Sequence, residues 1–267
     1  MKNAYFRAAM AVLLFCLMQG VGNLVLMWTT FGTLVPSQVL DFTPPQLAAV
    51  IIITGVASCL LLVWAKMVRP REAFSFSSGG KKNWVVAFLA AVAGIFAVDL
   101  LGEKVELPDL MAGNFMGMAH DFWGILSLAV VGPLVEEVYF REGIQGSLHR
   151  AGVSPWRAIF ISAFCFGLIH FNPAQVPFAF CIGVILGVIY YKTGNVVLTS
   201  LIHVFNNSMA VVEMRLLGEE IDTFSYEQAL GGAAISYVYI AVLGLSSLFL
   251  LRYFWKNAGQ NAVDNIK

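Results

Sequence analysis

The sequence predicts an all-α, polytopic integral membrane protein: one bundle of about eight transmembrane helices occupying residues 1–267 as a single transmembrane domain. Three observations carry that prediction. Hydrophobic residues make up 59% of the chain and charged residues only 12%, with a mean hydropathy of +0.78, whereas soluble domains average about 45–50% and about 25%. So little polar surface cannot coat a water-facing core, and lipid must be the solvent. Apolar runs also recur at the length of about 20 residues that carries a helix across about 30 Å of hydrocarbon. Finally, basic residues alternate between connections as a multi-pass topology demands.

The run 8–30 follows Lys2 and Arg7 and so begins like a secretory signal. It is longer than a signal's apolar region and has no convincing cleavage site, so it reads as a retained first span. The second and third spans are predicted at 45–68 and 84–101. The fourth, 122–148, is long and carries charges; the fifth and sixth, 156–170 and 175–191, are short. The seventh and eighth fall at 196–216 and 233–255. Trp28, Trp64, Trp84, Trp123, Trp156 and Trp255 all lie near predicted span ends, as an interfacial aromatic belt requires.

The connections give an independent check. The segments opposite the N-terminal side carry only Lys104 and Arg215. Arg141 falls inside a span, and every other lysine and arginine, from Lys2 to Lys267, lies on the N-terminal side. This asymmetry predicts a cytoplasmic location for both termini and hence an even number of spans. Glu103, Glu106 and Asp109, and Glu219, Glu220, Asp222 and Glu227, are then outer-loop acids, expected simply to stay solvated.

A net charge of zero makes no case for nucleic acid as a partner. Cys16, Cys59, Cys165 and Cys181 sit in apolar runs without metal-ligand spacing, and read as reduced packing residues.

Ionisable groups within spans cost several kcal/mol and are kept mostly where they function. Here they concentrate in three places. Glu137 and Arg141 are four apart, share a helix face and can neutralise each other, while Glu136 is turned by about 100° and keeps its carboxylate free. A purely structural ion pair accounts for Glu137 and Arg141 but not for Glu136. Phe166 and His170 repeat the spacing, as do His203 and Asn207, whose imidazole and amide can donate to a developing oxyanion. A carboxylate and two histidines on three spans can activate water, by general-base action or by holding a metal.

Glu136-Glu137-x-x-x-Arg141, Phe166-x-x-x-His170 and His203-x-x-x-Asn207 resemble the three motifs of the CAAX protease and bacteriocin-processing (CPBP, or Abi) intramembrane proteases. They occur in that family's order, in a core of about residues 119–216. The resemblance implies an intramembrane endopeptidase acting on membrane-associated, prenylated or other peptide substrates. It makes Glu136 the general base, His170 its helper in binding the attacking water, and His203 with Asn207 the oxyanion hole. Glu137 and Arg141, with Phe166, are supporting residues, the ion pair holding Glu136 in place. The family is often called metalloproteases; if zinc is used, Glu136, His170 and His203 are its ligands. The chain lacks HExxH, the helical zinc motif, and a metal-free mechanism is favoured. The compact chain, with no organellar signal, is expected to be a multi-pass protein of a bacterial cytoplasmic membrane. The alternative is a non-catalytic membrane protein for bacteriocin self-immunity or scaffolding on the same fold.

Weaker candidates have ordinary explanations. Asp99, His120 and Asp121 suit interfacial positions, and Gly183 with Gly187 form a GxxxG pair that favours close helix contact. Glu142 is expected to be solvated on the cytoplasmic side, and Asn206 to point away from the face of His203. At about 1.5 Å per residue, Glu136 and His203 lie at similar depth, but His170 comes out roughly 10 Å too deep. Either the fifth span tilts, or it begins later and the connection 171–174 is buried with its backbone groups satisfied.

Overall fold

The structure is a computed structural model and describes residues 2–34, 42–74, 80–105, 107–221 and 223–258. Glu106, Asp222 and Lys267, and the side chains of Lys2 and Glu219, lie outside the described residues. Every regular element among the described residues is helical. Eight long elements follow in order: α1 (Lys2–Phe31), α2 (Pro44–Trp64), α3 (Gly80–Gly102), α4 (Phe122–Arg150), α5 (Pro155–Leu168), α6 (Val176–Thr193), α7 (Val196–Leu217) and α8 (Ala233–Asn257). All but α5 are long and apolar enough to cross a membrane.

Local chemistry sets the ends. The Gln46 side chain reaches back to accept the Thr43 N–H (2.9 Å) ahead of α2. Asp121 caps α4, its Oδ1 accepting from Trp123 N and Gly124 N (both 2.9 Å), which explains this acid without a functional role. His120 is likewise engaged locally, its Nδ1 on Met116 O at 3.0 Å. Gly194, at φ 60°, ends α6 in the left-handed region, and Asn195 then caps α7 by accepting from Leu198 N at 3.1 Å.

α4 is not one regular helix. It is π-wound over Leu126–Val131, α-helical over Gly132–Glu137, and π-wound again over Val138–Gly146. The first widening has an identifiable cause. Pro133 has no N–H, and its ring clashes with the carbonyl four residues back in a regular helix. The chain responds with Gly132 N donating five residues back to Ser127 O.

Helix α2 runs beside α4, α5 beside α6, and α3 beside α8. One apolar core gathers Phe15, Leu62, Tyr139, Phe140 and Phe166 from α1, α2, α4 and α5. A second joins Ala87, Leu186, Ile202 and Phe254 from α3, α6, α7 and α8. The GxxxG pair acts as expected: a Cβ on Gly183 would lie 3.1 Å from Ala163 Cα, and one on Gly187 2.9 Å from Gln145 Oε1. Cys16, Cys59 and Cys165 are partly buried free thiols, but Cys181 faces outward rather than packing inside.

Of the two arrangements expected for His170, a later start of the fifth span is not what the structure has. The start of α5 at Pro155 is no later than expected, but its 14 residues end at Leu168, ahead of His170. The connection that follows is largely exposed, Phe171 at 67%, and only Asn172 within it is fully buried, against the segment 108–110. Asn172 Nδ2 donates to Asp109 Oδ1 (2.9 Å), Leu110 N to Asn172 Oδ1 (3.0 Å), and Ala174 N to Pro108 O (3.2 Å). On the opposite side of α5, Trp156, Phe160, Phe164 and Leu168 form an outward stripe at four-residue spacing.

Three of the acids expected simply to stay solvated, Glu103, Asp109 and Glu227, are engaged by other groups. Glu103 accepts from the Ser225 hydroxyl and from Glu227 N (3.1 Å), and Lys104 pairs with Glu227. These contacts fasten the loop between α7 and α8 to the end of α3, and the hydrogen bond to Glu227 raises the pKa of the Lys104 ammonium.

Candidate active site

The two glutamates lie on the single α-helical turn between the π-wound segments of α4. Glu137 is fully buried and holds three partners. Arg141 Nε donates to its Oε2 at 3.0 Å, His203 Nδ1 to its Oε1 at 3.2 Å, and the Thr199 hydroxyl also reaches it. Arg141 is itself completely buried. Its guanidinium lies 5.1 Å from the Phe166 ring centroid and its Nη1 reaches Ser162 Oγ at 3.5 Å, the limit of a hydrogen bond, while Nη2 has no partner. Ser162 is fixed in turn by donating to Phe140 O at 2.8 Å.

Glu136 stands apart from the arginine. Its side chain is 20% exposed, and its Oε2 is 3.7 Å from His203 Nε2. His203 thus stands between both glutamates. Glu137 can only accept, so Nδ1 carries a hydrogen and Nε2 is an N–H only in the imidazolium form.

Phe166 organises the second motif. Its ring meets His170 edge to face at 5.0 Å and His203 at 5.6 Å. His170 Nδ1 donates to Phe166 O at 2.8 Å, which leaves Nε2 of the neutral ring as an acceptor for a water hydrogen. Asn207 donates through Nδ2 to Leu128 O at 3.0 Å and accepts from Asn206 Nδ2 at 2.9 Å. Asn206 therefore does reach the motif, although its backbone position lies on another face of α7.

The structure brings Glu136, Glu137, Arg141, Phe166, His170 and His203 into one connected cluster of contacts, with Asn207 one helical turn beyond His203. Ser162 and Thr199 are members that the sequence reading missed. A signal for them was present: Ser162, Phe166 and His170, and Thr199, His203 and Asn207, each form an i, i+4, i+8 stripe. Glu142 needs correction. It is only 2% exposed, not solvated, and is held by Arg150 Nη1 at 2.7 Å, by the Tyr190 hydroxyl and by Arg69 N at 3.3 Å. Arg150, two turns along α4, folds back far enough to neutralise it.

Zinc would require donors about 2.0–2.2 Å from a common point. Among the described residues no group of three or more His, Cys, Asp or Glu is arranged to hold an ion.

Residues 118–209 match the profile of a family described as Rce1-like, type II CAAX prenyl endopeptidase. Among curated proteins, the chain is similar to the membrane-embedded CAAX protease MroQ of Staphylococcus aureus (strain USA300), at 32% identity over 110 residues. The similarity covers 39% of this chain and 44% of that relative, less than half of either. No solved structure matches. The matches support the CPBP family, and the matched segment contains all three motifs.

Proposed function

We propose that this protein is an intramembrane endopeptidase that hydrolyses membrane-associated peptide substrates, prenylated ones included, with water activated by Glu136 and without a catalytic metal. The observation that carries this reading is the division between the glutamates: Glu137 is engaged by Arg141 and His203, whereas Glu136 is partly exposed and faces His203 alone. The similarity to an Rce1-like profile and to a CAAX protease gives the prior for peptide-bond hydrolysis and for a prenylated substrate.

In this reading a water lies between Glu136 and Nε2 of His170. Glu136 takes one of its protons as the water oxygen bonds to the scissile carbonyl carbon. The resulting oxyanion accepts N–H donors from imidazolium His203 and from the second Asn207 amide hydrogen, the first being engaged by Leu128 O. Collapse of this intermediate breaks the C–N bond, and Glu136 returns the proton to the leaving nitrogen. Arg141 and Glu137 keep the turn and His203 in register.

The test uses the full chain in proteoliposomes with two quenched fluorogenic peptides, one farnesylated and one unmodified, each with and without a chelator. Cleavage of at least one peptide that survives chelation is expected. Cleavage lost to the chelator and restored by zinc would make Glu136 a metal ligand, and no cleavage of either peptide would remove the endopeptidase reading. The same reading puts both termini on the cytoplasmic side. Reporter fusions at Glu220 and at Asn257 are expected to report opposite sides of the membrane, and matching signals would refute this topology.

A further inference from the structure

Pro133 leaves a backbone carbonyl to be satisfied from outside its own helix. In the π-wound turn Gly132 N is engaged by Ser127 O. The next N–H that might serve Leu128 O would belong to residue 133, and proline has none. Asn207 Nδ2 fills this role from α7 at 3.0 Å. A carbonyl oxygen only accepts, so the contact fixes which end of the Asn207 amide faces α4. Its Oδ1 must then face the other way, toward a donor, and Asn206 Nδ2 supplies one at 2.9 Å.

We infer that Asn206 is a positioning residue, which locks the Asn207 amide so that its free N–H is presented to the reaction oxyanion. The inference rests on the proposed endopeptidase reading, and it gives Asn206 a role that the three motifs do not include. The lock has two points: Leu128 O holds the nitrogen end and Asn206 the oxygen end. An amide held at one end alone can swing about its last torsion, which is broad rather than three-welled. Asn206 touches no reacting atom in this account and acts only through its neighbour.

The chemistry separates two substitutions. Asn206→Ala removes the second point but leaves Leu128 O in place, so kcat is expected to fall about three- to tenfold, the effect of one hydrogen bond. Asn206→Asp puts an acceptor where a donor stood. It draws the Asn207 amide nitrogen toward itself and away from Leu128 O, and kcat is expected to approach that of Asn207→Ala, about 10²-fold below wild type. KM should change little in both, because the affected contact forms only as the oxyanion develops.

The experiment measures kcat and KM on the farnesylated and unmodified fluorogenic peptides for Asn206→Ala, Asn206→Asp, Asn207→Ala and the double variant Asn206→Ala/Asn207→Ala. Melting temperature in detergent is measured alongside, and rates are normalised to folded protein. The double variant is expected to match Asn207→Ala, since a residue acting only through Asn207 has no effect once that side chain is gone. Additive losses, or an Asn206→Asp variant with wild-type kcat, would overturn the inference while leaving the endopeptidase reading intact. An Asn207→Ala variant with undiminished kcat, or a wild type that cleaves neither peptide, would instead defeat the underlying reading and the inference with it.

Discussion

Glu136→Gln is expected to remove peptide cleavage by about 10²–10⁴-fold, the contribution of a positioned general base, while leaving the melting temperature nearly unchanged. The two halves of that expectation come from different features. An amide fills the volume of the carboxylate but cannot take a proton from water. The side chain is partly exposed and makes no contact with Arg141, whose carboxylate partner is Glu137, so its loss strands no buried charge. Turnover of the fluorogenic peptides and thermal unfolding in the same detergent preparation measure both. Substantial residual turnover, or a protein that no longer folds, would refute the assignment of Glu136 as base.

Glu137→Gln is expected to do the opposite first. Arg141 is completely buried and one of its terminal nitrogens already lacks a partner, so neutralising Glu137 leaves a cation without compensation. Removing one member of a buried pair costs about 3–5 kcal/mol. A large drop in melting temperature and in yield of folded protein is the expected signature. Activity is lost as well, because the same carboxylate fixes His203 through Nδ1. Replacing both partners by leucine tests the mechanism, since removing the whole pair is often neutral or stabilising. That double variant should regain stability over Glu137→Gln without regaining turnover. A Glu137→Gln protein as stable as wild type would show that the pair does not hold this part of the fold.

Much of this was legible in the sequence because membrane helices obey simple constraints. Seven of the expected spans correspond to helices long enough to cross, and the i, i+4 spacing put Glu137 on Arg141 as anticipated. What escaped depended on contacts between segments distant in the chain. Hydropathy saw apolar residues up to His170 but not that Asn172 is anchored by Asp109 and Leu110, which is what lets α5 stop at Leu168. The charge pattern put Glu142 near water because nothing in one helix's periodicity reveals Tyr190 and Arg69 closing over it. Backbone angle alone points Asn206 away from His203, although its side chain reaches sideways to Asn207. Pro133 was visible throughout, but the π-wound turn it imposes is a property of the packed helix.

The brevity of α5 has a consequence for the lipid around the protein. Its outward stripe from Trp156 to Leu168 spans about 18 Å at 1.5 Å per residue, against about 30 Å of hydrocarbon. Acyl chains facing it meet a hydrophobic mismatch of roughly 12 Å, relieved by local thinning of the bilayer at a cost of a fraction of a kcal/mol per Å. Such thinning would draw the leaflet beside α5 toward the loop that carries His170, from which Phe171 projects outward. Headgroups and hydration water would thereby be brought down beside the proposed catalytic cluster, making acyl-chain length a physical variable of the reaction.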